Sequence, residues 1–94
     1  MTITGPTFRG ATIKDDVVAR SVGDEMVLLD LESGTYFTLN AVGALIWRGL
    51  ENSDSLATII ERIGSEYEVS PERAESDTAD LIGQLIQKGL LAEA

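Results

Sequence analysis

From residue 17 to residue 39 the chain is a series of short runs rich in strand formers, separated by turn signals, and from residue 41 onward the apolar positions recur every three or four residues, as on a helix. The first regime opens with "VVARSV" at 17–22, the turn signal Gly23-Asp24, and "EMVLLDL" at 25–31. In "EMVLLDL" the odd positions Val27, Leu29 and Leu31 are all apolar. The alternation therefore predicts that these three face the core and that Met26, Leu28 and Asp30 face the other way. A second turn, "ESG" at 32–34, leads into "TYFTL" at 35–39, whose β-branched and aromatic residues suit a strand. Two short turns in succession give a meander in which spatial order follows chain order.

The period changes at Asn40, a good N-cap because its side chain can accept from a free amide of the first turn. The helix that follows carries Val42, Leu45, Ile46 and Leu50, and "ENSDS" at 51–55 ends it. Trp47 lies off the main stripe of that helix and is read as a second core contact. The next helix places Leu56, Ile59, Ile60, Ile63 and Tyr67 on one face, the clearest amphipathic stripe in the chain, with Ile60 at its middle and expected in the core. Ser70 and Pro71 start a third helix, which presents Ala74, Thr78, Leu81, Ile82, Leu85 and Ile86 and stops at Gly89. Its apolar arc is wider than one packing partner needs, so part of it can face a groove. Residues 1–14, with Gly5, Pro6 and Gly10, read as a partly disordered N-terminal arm with a short strand near Phe8 or Ile13; residues 15–94 read as the domain.

Strands followed by helices imply an α+β domain. A three-stranded antiparallel sheet followed by three helices is also the content of a winged helix, a fold often used to read DNA. The strand at 35–39 is an edge, because the chain turns at once into a helix. It carries none of the charge, proline or bulge that usually blunts an edge. Such an edge suggests aggregation, dimerisation or a site for an added strand.

Charge and composition narrow the chemistry. The 94 residues hold 16 acids against 7 bases, a net charge of −9, and the bases are dispersed. A phosphate backbone would be repelled, which argues against nucleic acid. There is no cysteine and no histidine, so the usual nucleophile, general base and soft metal ligands are missing. Asp77 and Asp80 share one side of the third helix. They are read as a solvated acidic face rather than a metal or acid–base pair, because no further ligand spacing accompanies them. The expectation is no enzyme, no metal and no cofactor. No apolar run is long enough to span a bilayer, and the chain is expected to be cytoplasmic.

The run "VVAR…DEMVLLDLESGTYFTLNAVGALIW", then "SLATIIERIGSEYEVS", then "DTADLIGQLIQKGLL", resembles PqqD-like proteins over about residues 14 to 91. These are the peptide-binding domains called RiPP recognition elements. The resemblance implies a winged-helix-like fold without catalytic activity that binds the leader of a ribosomally made precursor peptide. The leader adds as a strand beside the third strand and its side chains enter a groove against the third helix. Carried onto this chain, the strand is Thr35, Tyr36, Phe37, Thr38 and Leu39, and the helix wall includes Asp77, Asp80, Leu81, Gln84 and Leu85. Leu29 and Leu31 would floor the groove. The implied second partner is a modifying enzyme such as a radical enzyme, a leader protease or a cyclase. The chain is expected to be a monomer or weak homodimer, and the alternatives are a winged-helix nucleic-acid binder or a structural dimerisation module.

Overall fold

The computed structural model describes residues 12–92. Strands β1 (Thr12–Ile13), β2 (Val17–Val22), β3 (Glu25–Asp30) and β4 (Thr35–Leu39) precede helices α1 (Ala41–Glu51), α2 (Leu56–Tyr67) and α3 (Pro71–Gln87), and a short β5 (Leu91–Ala92) follows. β2, β3 and β4 form one antiparallel sheet in chain order, as the meander predicts. The expected short strand near Ile13 is present: it pairs with β5, Thr12 opposite Ala92 and Ile13 opposite Leu91. β5 itself falls beyond Gly89, where no strand is predicted. Most of the expected arm, Phe8 included, lies outside the described residues.

The turns and caps account for the element boundaries. Gly34 takes φ +77° in the β3–β4 turn, a conformation that a Cβ would strain. Each helix starts on a side chain that relieves a free amide: Asn40 Oδ1 accepts from Gly43 N at 2.9 Å, Ser55 Oγ from Thr58 N at 3.1 Å, and Ser70 Oγ from Arg73 N at 3.1 Å. After α3, Gly89 N donates to Ile86 O and Leu90 N to Leu85 O, which turns the chain back toward β1.

The sheet buries the face opposite to the one its pattern predicts. Met26, Leu28 and Asp30 are buried, while Val27 and Leu29 are half-buried and Leu31 is 59 % exposed. Both faces of "EMVLLD" offer apolar residues, so alternation alone does not choose between them. Two contacts do. Met26 and Leu28 pack with Leu39, Ala44, Trp47, Ile82 and Leu85 in the main core cluster. Asp30 tolerates burial because Oδ1 accepts from Glu32 N at 3.1 Å and Oδ2 from Ser33 Oγ at 2.9 Å, so its carboxylate organises the turn.

Trp47 is buried as expected, and its Nε1 donates to Glu51 Oε2 at 3.1 Å. A second cluster joins Leu45, Ile46, Ile59, Ile63 and Ala74 between the three helices. The α2 stripe is centred on Ile59 and Ile63 rather than on Ile60, which is half-buried at its margin. Leu81 packs against both clusters, and so ties α3 to the sheet and to the helices at once.

Candidate functional site

The open edge of β4 follows from the hydrogen-bond register. Leu31 N donates to Asp16 O at 2.9 Å, one step beyond the Asp30–Val17 pair. Asp30–Val17 is therefore a pair without mutual bonds, and Leu29 and Val27 spend their amides and carbonyls on β2. Asp30, Leu28 and Met26 then direct theirs to β4, toward Thr35, Phe37 and Leu39. The remaining backbone groups of β4, those of Tyr36 and Thr38, point away from the sheet. No strand pairs with that edge among the described residues.

Beside this edge runs a groove of about 450 Å3. One wall is Phe37, Thr38 and Leu39 of β4; the other is Asp77, Asp80, Leu81 and Gln84 of α3; the first two turns of α1 close it with Val42, Gly43 and Ile46. The α3 residues recur every three or four positions, so one continuous stripe faces β4. Side chains alternate on β4, which sends Phe37 and Leu39 toward the helices and Tyr36 and Thr38 to the outer face with Leu29 and Val27. The wide arc of α3 is divided accordingly. Ala74, Thr78, Ile82 and Leu85 are buried, and Leu81 stands half-buried at the groove.

The acidic residues on the wall differ in their surroundings. Asp77 pairs with Arg73 Nε at 3.3 Å across one helical turn. Asp80 is exposed and makes no ion pair or hydrogen bond among the described residues. No group of three or more His, Cys, Asp or Glu stands together as a metal site among those residues.

Of the residues the sequence singles out, Phe37, Thr38, Leu39, Asp77, Asp80, Leu81 and Gln84 meet around this one groove. Thr35 and Tyr36 belong to the same strand but do not line it. Leu85 is fully buried in the core, and is part of the support behind the wall rather than its surface. Leu29 and Leu31 lie on or beyond the outer face and do not floor the groove, a consequence of the reversed sheet face. The floor comes instead from Val42 and Ile46 of α1, which sequence reasoning missed as site residues. The available signal was Asn40: a cap placed directly after the strand forces the first turn of α1 to lie beside β4.

Three comparisons bear on this arrangement. The family model for coenzyme PQQ synthesis protein D (PqqD) matches residues 25–91. The chain is similar to a solved structure of TbiB1 in complex with the TbiA(beta) leader peptide, at 42% identity and a TM-score of 0.80, over 86% of this chain and 94% of that one. It is also similar to lasso peptide synthetase B1 complexed with the leader peptide, at 34% identity and a TM-score of 0.80, over 87% of this chain and 96% of that one. No curated protein matches it.

Proposed function

Because the chain belongs to the PqqD family, we propose that it binds the leader segment of a ribosomally made precursor peptide as a strand added to β4, and presents the peptide to a modifying enzyme. The observation that carries this reading is the juxtaposition of the free backbone groups of Tyr36 and Thr38 with a groove walled by α3. Strand addition uses both parts. Backbone bonds to the edge supply affinity for any extended peptide, and the groove selects alternate side chains. Both similar structures hold a leader peptide, which supports the same use here.

In this reading the chain has no chemistry of its own. It acts by holding a substrate for another enzyme, in the cytoplasm, where the precursor is made. A nucleic-acid role is disfavoured by the net charge of −9 and by the acidic residues on the groove wall. No helix among the described residues is long and apolar enough to cross a membrane.

The test is calorimetric titration with a cognate leader peptide. The expected affinity is micromolar or tighter, about −8 kcal/mol or better. Thr38→Pro, which removes an outward amide, should abolish binding while the far-ultraviolet circular dichroism stays native. Equal binding by a folded Thr38→Pro variant would sink strand addition at this edge.

A further inference from the structure

We propose that Asp80 makes the groove selective for an extended peptide that presents a lysine or arginine to it, with an uncharged side chain two residues away on the side of Gln84. This rests on the peptide-binding reading above and specifies what kind of peptide that site takes.

The charged side chains lining the groove are Asp77 and Asp80, and both are acidic. Arg73 already holds the Asp77 carboxylate from the preceding turn, at 3.3 Å. Asp80 has no cation of its own among the described residues, and it stands directly before Leu81, which packs against both core clusters. The rest of the lining is uncharged: Phe37, Leu39, Val42, Ile46 and Leu81 are apolar, Gly43 adds no side chain, and Thr38, Asn40 and Gln84 are polar but neutral. The groove therefore has a single unspent charge beside an apolar floor.

An added strand would change the surroundings of that charge. It would lie about 4.8 Å from β4, between β4 and α3, and would cover the wall from solvent. A carboxylate covered by an apolar side chain loses water and gains no partner, which is costly. An acidic side chain adds repulsion. A lysine or arginine replaces the lost water with a charge-assisted bond. Groove-facing side chains on a strand are about 7 Å apart, and the step from Asp80 to Gln84 is about 6 Å along the helix axis. A cation beside Asp80 thus places its groove-facing neighbour near Leu81 and Gln84, where an uncharged side chain fits. The selectivity belongs to one peptide position and is distinct from the general attraction of basic peptides to an acidic protein.

A random twelve-residue peptide library, selected by mRNA display, provides the test and requires no leader sequence. The baits are wild type, Asp80→Lys, Thr38→Pro and Glu61→Lys. Glu61 is exposed and outside the groove, so its variant makes the same change in net charge elsewhere. Circular dichroism confirms that each bait is folded. Wild type and Glu61→Lys should enrich Lys and Arg over Asp and Glu about tenfold at one position of the aligned binders, the combined effect of one attraction gained and one repulsion avoided. Asp80→Lys should reverse the preference at that position and leave its neighbours two residues away unchanged. Binders that fail on Thr38→Pro but show the same charge preference on wild type and Asp80→Lys would overturn the role of Asp80 and leave strand addition standing. Binders that Thr38→Pro retains would overturn both.

Discussion

Gly49 sits where α1 and α2 touch, and the contact leaves no room for a side chain. A Cβ built there would stand 2.6 Å from Ile59 Cγ1, inside any real carbon–carbon contact. Gly49→Ala should gain about 1 kcal/mol of helix propensity, yet lose more as α2 is pushed away, for a net destabilisation of about 1–2 kcal/mol. Ile59 is the other half of this contact and is fully buried. Ile59→Ala should cost about 2–5 kcal/mol, from lost burial plus the cavity left behind. Ile60→Ala should cost clearly less, since Ile60 is half-buried at the edge of its cluster. Urea unfolding followed by circular dichroism measures all three. Equal losses at Ile59 and Ile60 would mean that α2 is rotated from the orientation described.

At the scale of the element, β4 has two sides with different obligations. The backbone groups of Phe37 are committed to β3, and those of Thr38 face the open edge. Phe37→Pro should therefore damage the fold, through a lost ladder bond in a three-stranded sheet. Thr38→Pro should leave the fold largely intact and affect only peptide binding. Thermal melts of the two variants make the comparison, and a Phe37→Pro protein as stable as Thr38→Pro would mean that the register is shifted by one. The existence of β4 and its place at an edge were legible in "TYFTL" followed by Asn40, because a helix cap there leaves no chain for a fourth strand. The facing of β3 was not legible. In "EMVLLD" each face carries one acid, Glu25 on one and Asp30 on the other, and burial of the Asp30 carboxylate depends on Glu32 N and Ser33 Oγ, a turn geometry that alternation does not encode. That single reversal misplaced Leu29 and Leu31 under the groove. The α3 wall was better predicted, because Asp77, Asp80, Leu81 and Gln84 share a helix side whichever face of the sheet is covered. Leu85 was overcounted, since a wide apolar arc does not say where core ends and groove begins.

Across the whole molecule, the net charge of −9 and the open edge pull in opposite directions. Like charge keeps copies apart, and an unpaired strand invites them together. A monomer or weak dimer is the expected balance, with any dimer formed through β4. Sedimentation velocity over a range of concentrations should show self-association that rises with salt and disappears in Thr38→Pro. Association that persists in that variant would place the contact elsewhere. One further feature reaches beyond binding. The clip between β1 and β5 sets Thr12 opposite Ala92, so both ends of the described chain emerge at one spot, roughly 5 Å apart. Ends that close together are what insertion as a module requires. The chain can be spliced into an exposed loop of a host enzyme without stretching the host's backbone, or circularly permuted by joining the clip and reopening at the exposed turn of residues 52–53, which lies outside the groove. A substrate-holding part could in this way be moved between catalysts as a single insertion, with the groove carried along unchanged.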